Sequence, residues 1–405
     1  MKLLQIDVCA NVTSTGKIAE SIGLLAQKNG FESFIAWGRE HRKSQSHLIH
    51  IGNTLNYIEH GIETRLFDNH GLASRLSTLC FLKALKKIKP DLVHLHCIHG
   101  YYLNYVYLFK YLKEMNVPVV WTMHDCWAFT GHCAHFDLCG CNKWMTKCHS
   151  CPQRSVYPST SFFDRSAKNF ENKQKSFNSI SNLTLVSVSQ WLDDLVSRSF
   201  LGRNKHIVIK NGIDTNVFSP IANKQLVKNK LGISEDETML LGVAYPWSRR
   251  KGLQDFIELS KLLSDKHRIV LIGLTVKQSR SLPHNIIGIE RTTSLKELAE
   301  YYSAADLFLN LTYEDNYPTT NLEAISCGTP CLTYRTGGSP ESITPETGFV
   351  VSQGDLTSVL QCIELIQKNG KQAYYQPCRD YALAHFRAED RFQDYINLYK
   401  QILNI

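Results

Sequence analysis

The sequence has no long hydrophobic run. No stretch of its 405 residues approaches the roughly 18 to 20 uncharged apolar residues that a membrane-spanning helix needs. The first residues, MKLLQIDVCANVTSTGK, reach Asp7 early and are interpreted as a buried strand followed by a polar loop, so we expect no signal peptide. These two absences favour a cytoplasmic location.

Other absences narrow the class further. The sequence has no internal repeat and no low-complexity stretch, and it lacks the interleaving of aromatic and basic residues that is typical of a nucleic-acid-binding surface. Its content of 43% hydrophobic and 20% charged residues is ordinary for a globular protein. Because 405 residues are too many for one small core, we expect two domains. Because no nucleic-acid-binding pattern is present, we expect no nucleic-acid partner.

Positive charge is concentrated in the N-terminal half. Residues 1–200 contain 22 Lys and Arg against 15 Asp and Glu, whereas the remainder contains 23 against 22. Much of the excess lies in the segment SRLSTLCFLKALKKIKP, residues 74–90, where basic residues flank leucines at helical spacing. Such a helix can lie on an anionic membrane surface. It can equally be a domain-surface helix whose last lysines offset its dipole, and the sequence leaves both interpretations open.

Short runs rich in Val, Ile and Leu alternate with helical patterns along the whole chain, which indicates parallel sheets covered on both faces. The first series of predicted strands is Leu3–Val8, Ser33–Trp37, Leu92–Leu95, Val119–Met123 and Leu183–Val188. The second series is His206–Lys210, Thr238–Ala244, Arg268–Gly273, Leu307–Leu311 and Cys331–Tyr334. Two series predict two Rossmann-like, doubly wound α/β domains whose strand ends face a cleft.

The joint between the domains is predicted near residues 210–218, KNGIDTNVF, where a strand runs into a turn. We assign residues 1–204 to the N-terminal domain and residues 205–386 to the C-terminal domain. The segment 387–405 has apolar residues at helical spacing and is predicted to be a helix that packs back on the N-terminal domain.

The segment YEDNYPTTNLEAISCGTPCLTYRTGG carries two acids eight residues apart. Pro318 is a residue type favoured at the first helical position and Gly328 suits a C-terminal cap, so Asp315 should precede a helix and Glu323 should lie inside it. Free N–H groups at such a helix start attract phosphate, and the carboxylates can accept hydrogen bonds from sugar hydroxyls. The pattern indicates a nucleotide-sugar site, although two carboxylates alone also fit a solvated acidic turn.

Two further segments carry candidate functional groups. His124 ends the predicted strand VVWTM and should emerge at the carboxyl edge of the sheet, where it is either a ligand contact or a structural hydrogen-bonding residue. Arg249, Arg250 and Lys251 precede a glycine at the start of a predicted helix. Cations at this position can neutralise a diphosphate leaving group, or they can form a solvated basic turn.

Six of the thirteen cysteines fall between residues 126 and 151. Cys148 and Cys151 have knuckle spacing, and with Cys133 and Cys141 they predict a structural zinc site of four thiolates. Zinc would organise a loop that has few large apolar residues to pack. Free thiols and a redox role are the alternatives.

Several motifs together resemble the retaining family-4 glycosyltransferases of the GT-B type. These motifs are STGKIAE, VVWTMHD, VSVSQW, KNGID, RRKGL, NIIGI, DNYPTTNLEA and TGGSPE. The resemblance extends over nearly the whole chain. It is strongest with the bacterial branch that builds colanic acid, capsule and other exopolysaccharides, including the cysteine-bearing insertion after His124 and Asp125.

The resemblance implies roles for these residues. The implied catalytic residues are His124, Arg250, Lys251 and Asp315. The implied donor-binding residues are Gly16, Arg249, Asn316, Tyr317, Glu323, Gly337 and Gly338. Within the motif the family has Glu at the position of Asp315, and the arginine expected a few residues before Lys251 is replaced by Tyr245 and Pro246. Which of Arg249 and Arg250 contacts the diphosphate is therefore open.

The implied reaction is transfer of a hexose or deoxyhexose, with retained configuration and no catalytic metal, from a nucleotide diphosphate sugar to a lipid-linked oligosaccharide. A peripheral position on the inner face of the plasma membrane would suit that acceptor. Two alternatives are a nucleotide-sugar epimerase of the same architecture and a non-enzymatic metal-binding sensor or scaffold built on the cysteine loop.

Overall fold

A computed structural model describes residues 1–405 and divides them into two compact units. The N-terminal unit comprises Met1–Lys210 and Phe392–Ile405, and the C-terminal unit comprises Asn211–Arg391. Each unit contains one parallel sheet with connecting helices. This confirms the predicted fold class of two doubly wound α/β domains.

The N-terminal unit has seven strands and six complete helices of its own. Its strands are β1 (Lys2–Ala10), β2 (Glu32–His41), β3 (His47–His50), β4 (Leu92–Leu95), β5 (Val119–Met123), β6 (Leu183–Ser187) and β7 (Lys205–Val208). Its helices are α1 (Thr13–Lys28), α2 (Thr54–Phe67), α3 (Arg75–Ile88), α4 (Tyr105–Met115), α5 (Ser166–Phe177) and α6 (Gln190–Arg198).

The C-terminal unit has six strands and seven complete helices. Its strands are β8 (Thr238–Val243), β9 (His267–Ile272), β10 (Ile286–Ile289), β11 (Leu307–Asn310), β12 (Cys331–Tyr334) and β13 (Gly348–Val351). Its helices are α7 (Lys224–Lys230), α8 (Leu253–Leu262), α9 (Val276–Arg280), α10 (Leu295–Ala304), α11 (Thr319–Ser326), α12 (Leu356–Asn369) and α13 (Gln372–His385). The last helix of the chain, α14 (Ala388–Leu403), spans the boundary between the units.

The strand orders locate a switch point in each sheet. The N-terminal order is β3-β2-β1-β4-β5-β6-β7, so the chain moves outward from β1 in one direction and then returns to β4 beside it. The C-terminal order is β10-β9-β8-β11-β12-β13, with the same reversal between β8 and β11. In doubly wound sheets the loops that leave the carboxyl ends of the strands at this reversal form the ligand site.

Most predicted strands are present, but the assignment of one of them was wrong. The run predicted at His206–Lys210 as the start of the second series is β7, which pairs with β6 at the edge of the N-terminal sheet. Three strands were not predicted, namely β3, β10 and β13. Each has only four residues and lies at the edge of a sheet, where half-exposed positions blur the apolar pattern.

The domain boundaries also differ from the predicted ones. The first falls after Lys210 rather than after residue 204, because β7 completes the N-terminal sheet. The second falls inside α14, after Arg391, rather than after residue 386. The observed first boundary lies within the predicted joint at 210–218.

The C-terminal helix contributes to the core of the N-terminal unit. Tyr395 and Tyr399 of α14 are fully buried. The Tyr399 hydroxyl lies 2.6 Å from His94 Nδ1 in β4, and the Thr122 hydroxyl lies 3.2 Å from that of Tyr395. These hydrogen bonds satisfy polar groups that would otherwise be costly to bury, and they join α14 to β4 and β5. No helix in the chain combines the length and apolar character needed to cross a bilayer.

Candidate active site

In the C-terminal unit the predicted donor residues follow three adjacent strands. Lys251 lies in the loop after β8, Asp315 in the loop after β11, and Gly337 in the loop after β12. Because β8, β11 and β12 are parallel neighbours, their carboxyl ends meet at one edge of the sheet, at the reversal of strand order. The tertiary fold thus brings three motifs, up to 86 positions apart in the sequence, to a single edge.

Lys251 and Asp315 form an ion pair at this edge. Lys251 Nζ donates to Asp315 Oδ2 at 2.6 Å, and the side chains are only 21% and 20% exposed. Sequence analysis assigned the two residues to different parts of the donor, the phosphate and the sugar. The structure places both charges within one hydrogen bond of each other.

Arg250 links the same two loops through the backbone. One guanidinium nitrogen donates to the carbonyl of Glu314 at 2.7 Å, and the carbonyl of Arg250 accepts from the backbone N–H of Tyr313 at 2.8 Å. Arg249 is exposed and forms no such link. Arg250 is therefore the arginine that positions the acidic loop. The Glu314 side chain is buried, so Asp315 is the partly exposed acid of this pair.

Glu323 lies on the fifth residue of α11, about one turn from its start. Pro318 is the N-cap residue rather than the first helical residue, and Gly328 follows the helix with a positive φ of 73°, as its predicted capping role requires. The Tyr302 hydroxyl donates to Glu323 Oε2 at 2.9 Å. Tyr302 is fully buried, so α10 holds the Glu323 carboxylate in a fixed position.

Asn316 and Tyr317 are buried between Asp315 and the helix, with 4% and 5% of their surfaces exposed. Burial raises the pKa of Tyr317 well above its usual range. Their side chains therefore support the loop from within. Any contact they make with a ligand at this edge would come mainly from the backbone.

The two glycines after β12 have different roles. Gly337 has a φ of +50°, and a Cβ atom built on it would lie 1.8 Å from the backbone oxygen of Asp315. Only glycine allows this close approach of the β12 loop to the acidic loop. Gly338 is the N-cap residue of the short 3₁₀ helix Ser339–Ser342.

In the N-terminal unit His124 follows β5 directly, as predicted. Its Nε2 atom lies 3.2 Å from Nδ1 of His96, which follows β4. Burial lowers the pKa of His124 to about 4, although the charge of Asp125 opposes the shift. His124 is therefore a neutral imidazole at physiological pH and can exchange hydrogen bonds without carrying charge.

A second group at this edge was missed by sequence analysis. His99 Nε2 lies 2.9 Å from Asp125 Oδ2, and its Nδ1 lies 2.9 Å from the hydroxyl of Tyr157. Burial raises the pKa of Asp125, but the charge and hydrogen bond of His99 outweigh this effect and hold the pKa well below its usual range. The signal in the sequence was HCIHG directly after a predicted strand, the same context that identified His124.

Asp7 and Cys97 complete this edge. Asp7 Oδ1 accepts from the backbone N–H of Cys97 at 3.1 Å, and Oδ2 accepts from the Thr15 hydroxyl at 3.0 Å. Burial raises the pKa of Asp7 to about 6 and raises that of the Cys97 thiol. One side-chain atom each of Cys97 (sulfur), His99 (ring nitrogen) and Asp125 (carboxylate oxygen) lie within 4.8 Å of one another, which makes this edge a compact polar cluster.

Gly16 was predicted to lie in the loop after β1, and this was wrong. It belongs to the first turn of α1, and a Cβ atom on it would lie 2.9 Å from the backbone oxygen of Cys9. Its carbonyl accepts from the N–H of Asn11 at 3.1 Å. Gly16 therefore allows α1 to pack closely against the end of β1.

The four predicted metal ligands, Cys133, Cys141, Cys148 and Cys151, line one small cavity. The structure contradicts the argument that this loop lacks large apolar residues. Trp127, Phe129, Phe136 and Trp144 are all buried, and the rings of Phe136 and Trp144 stack 5.1 Å apart. The loop has an aromatic core of its own beside the cysteines.

Comparison with known proteins follows this division into two units. The family description "Glycosyltransferase Family 4" matches residues 24–217, and "Glycosyl transferases group 1" matches residues 237–369. The chain is 26% identical over 324 residues to WcaC of Escherichia coli, described as a colanic acid biosynthesis glycosyl transferase, and the match covers 77% of each chain. It is 21% identical over 397 residues to an uncharacterized protein in the cps region of Klebsiella pneumoniae, covering 96% and 97% of the two chains.

Solved structures show the same fold. A sucrose-phosphate synthase from Thermosynechococcus elongatus superposes with a TM-score of 0.73 at 17% identity, covering 100% of this chain and 99% of the other. HepE of Anabaena in complex with UDP-glucose has a TM-score of 0.67 at 14% identity, covering 99% and 100%. These structures establish the GT-B fold. Since the two family matches together span most of the chain, the protein belongs to the glycosyltransferases, with a family-4 domain followed by a group-1 domain.

Proposed function

We propose that the protein transfers a hexose or deoxyhexose, with retained configuration, from a nucleotide diphosphate sugar to a lipid-linked oligosaccharide in the synthesis of a bacterial surface polysaccharide. The similarity to WcaC and to a protein of the cps region supports the pathway. The observation that carries the donor assignment is the Lys251–Asp315 pair at the reversal point of the C-terminal sheet.

The donor would engage this edge through three kinds of contact. The ammonium of Lys251, with the neighbouring arginines, neutralises the charge that develops on the diphosphate as the glycosidic bond breaks. Asp315 accepts hydrogen bonds from sugar hydroxyls. Glu323, held by Tyr302, accepts them from the ribose. HepE has been solved with UDP and with UDP-glucose, which supports a nucleotide sugar as the ligand class.

The reaction itself needs charge stabilisation more than an enzyme nucleophile. In our proposal the bond between the anomeric carbon and the diphosphate breaks, and the acceptor oxygen bonds to that carbon on the same face of the sugar. The departing phosphate accepts the proton of the acceptor hydroxyl. His124 is a neutral hydrogen-bonding group at the strand ends of the N-terminal unit, as its lowered pKa permits, and the family resemblance implies that such a group contacts the sugar. The His99–Asp125 pair of the N-terminal unit would offer hydrogen-bonding groups to an acceptor hydroxyl.

A lipid-linked acceptor is supported by the surface of α2 and α3. Leu55, Ile58, Ile62 and Leu66 recur at helical spacing on α2 and are 73%, 53%, 52% and 36% exposed. An apolar stripe that faces outward is unusual for a helix on a globular domain. We infer that it contacts the acyl region of a membrane.

The next helix in the chain, α3, carries the positive charge that such a surface requires. In α3, Leu82 and Leu85 are buried, whereas Leu76 and Leu79 are exposed, so only half of the predicted apolar face belongs to the core. The lysines at positions 83, 86 and 87 are exposed. Exposed lysines and leucines on α3, together with the outward apolar stripe on α2, fit an anionic membrane surface, which favours the peripheral-membrane interpretation of this segment.

The donor assignment is tested with purified protein and a panel of nucleotide diphosphate sugars. We expect one donor class to raise the melting temperature and to be hydrolysed slowly or transferred to a membrane-extract acceptor. Glu323→Gln should raise the KM for that donor roughly 10-fold to 100-fold, since a charge-assisted hydrogen bond contributes about 1.5–3 kcal/mol. Glu364→Gln, an exposed glutamate of α12, is the matched control. No response to any donor would refute the proposal.

A further inference from the structure

Four cysteine side chains from two parts of one loop meet at a single cavity of the N-terminal unit. Cys133 is on one side, and Cys141, Cys148 and Cys151 come from the segment that follows it. All four are free thiols in the structure. Cys133 and Cys151 lie within hydrogen-bonding reach of each other, and Cys148 lies near enough to Cys141 and Cys151 to interact with them electrostatically.

Backbone N–H groups already point at two of these sulfurs. The N–H of Gly131 donates to Cys148 and the N–H of Gln153 donates to Cys151. Hydrogen bonds of this kind favour the thiolate over the thiol. The Cys148-x-x-Cys151 spacing also allows both sulfurs to face the same metal ion.

A buried lysine next to the cysteines has no carboxylate partner. Lys173 of α5 is 1% exposed, and Nζ donates to the carbonyl of Trp127 at 2.6 Å and lies 3.5 Å from the centroid of its indole ring. It forms no salt bridge, and Cys148, Cys133, Asp125 and Asp68 lie near enough to interact with it electrostatically. Negative charge on thiolates at this cavity would stabilise the ammonium form of this buried side chain.

A buried histidine nitrogen points to the same conclusion. His132 lines the cavity, and its Nδ1 atom lies 2.7 Å from Asp68 Oδ1. Its Nε2 atom is buried without a hydrogen-bond partner. A buried polar atom of this kind usually marks a missing partner, and the cysteine cavity that His132 lines is where that partner would lie.

We propose that Cys133, Cys141, Cys148 and Cys151 bind one structural zinc ion, with His132 and Lys173 as its surrounding hydrogen-bonding and charge-compensating groups. Four thiolates around Zn²⁺ carry a net charge of about −2, which accounts for a buried lysine and a carboxylate-paired histidine at the same place. The ion would tie the segment 131–151 to α5 and to the turn that carries Asp125. This inference is independent of the donor and acceptor proposed above.

Metal content of the full-length protein, purified under reducing conditions, is the first test. We expect one zinc per chain, lost in Cys148→Ser and in Cys151→Ser and retained in Cys80→Ser and Cys362→Ser, which change cysteines outside the cluster. His132→Gln should retain the ion. Cobalt substitution should give the intense sulfur-to-metal charge-transfer absorption of a four-thiolate site.

A second measurement does not depend on variants that fold. In the unmodified protein, zinc should protect these four cysteines from alkylation, as mapped by mass spectrometry, and a chelator should expose them and lower the melting temperature. Equal alkylation with and without zinc, a Cys133–Cys151 disulfide in the freshly purified protein, or a cobalt spectrum of three sulfurs and one nitrogen would overturn the proposal.

Discussion

The ammonium of Lys251 and the carboxylate of Asp315 share a 2.6 Å hydrogen bond between the loops that follow β8 and β11. Both side chains are about one-fifth exposed, so the pair is accessible to a ligand but screened less than a surface pair. A diphosphate would draw the lysine toward itself, and the released carboxylate oxygen could accept a sugar hydroxyl. The pair therefore keeps each group in place before the donor binds.

Removal of the lysine charge should slow transfer far more than it affects folding. We expect Lys251→Met to reduce kcat roughly 100-fold to 1,000-fold, by analogy with the loss of one group that stabilises developing charge. Lys261→Met is the matched control, because Lys261 pairs with Glu258 on the exposed face of α8. Steady-state kinetics with the identified donor provide the measurement, and similar rates for the two variants would contradict the role of Lys251.

The length of the acidic side chain at position 315 should matter less than its charge. Asp315→Glu restores the residue implied by the family resemblance, and we expect it to keep most of the activity if the loop accommodates one more methylene. Asp315→Asn keeps the shape but leaves Lys251 without its partner, so it should lose at least about 10-fold in kcat/KM. If Asp315→Asn were as active as the unmodified protein and Asp315→Glu, the charge at position 315 would not matter for activity.

A side chain at position 337 should disrupt the donor edge. The Cβ atom of Gly337→Ala would lie 1.8 Å from the Asp315 carbonyl oxygen, so the acidic loop must move. We expect loss of donor-induced thermal stabilisation. Gly232→Ala is the control, since Gly232 also has a positive φ but no atom within 4 Å of the added carbon, and it should cost only about 1 kcal/mol of stability.

Acid should destabilise the N-terminal unit through its buried histidines. Burial lowers the pKa of His60 to about 3, while the unfolded chain takes up this proton near pH 6.5. Its contribution to stability is thus present above about pH 6.5 and is lost as the pH falls toward 3. At pH 5 the loss is about 2 kcal/mol.

Urea unfolding at pH 7.5 and pH 5 measures this effect. His60→Gln keeps hydrogen-bonding groups near Ser74 and Gly71 but cannot titrate, so its stability should fall less between the two pH values. His47→Gln replaces an exposed histidine and should behave like the unmodified protein. An equal loss of unfolding free energy between pH 7.5 and pH 5 in all three proteins would show that His60 does not contribute to the pH dependence.

Vesicle binding should depend on the outward stripe of α2. We expect the protein to sediment with vesicles rich in anionic lipid. The double variant Ile58→Glu/Ile62→Glu should lose most of this binding, since charged side chains replace apolar ones that would insert into the bilayer. Leu226→Glu changes a comparably exposed residue of the C-terminal unit, 52% exposed, and should bind normally. Retained binding by the α2 variant would exclude this surface.

The central strands of both sheets were predictable because strands that are buried on both faces consist of continuous apolar runs. Every residue of β4, β5 and β6 is buried. The edge strands β3, β10 and β13 were not predictable, since their half-exposed positions interrupt the apolar run. β7 was found but assigned to the wrong sheet, because a local pattern shows that a strand exists and not which strand it pairs with.

Candidate site residues were predictable where chemistry-bearing side chains directly follow a strand, as with His124. The same context was present before His99, and its pairing with Asp125 was missed because the partner follows a different strand. Gly16 was misplaced for a related reason. Its close contact is with the backbone of Cys9, seven positions earlier, and only the packing of α1 on β1 reveals it.

The sequence by itself determined the two-domain α/β architecture, the order of the motifs and the residue types at the strand ends, because apolar periodicity and strand-end chemistry are local properties. The tertiary structure decided which of those groups meet. It paired Lys251 with Asp315, buried Glu314 and gathered four cysteines beside Lys173, since strand order and helix packing bring together residues that no local pattern connects.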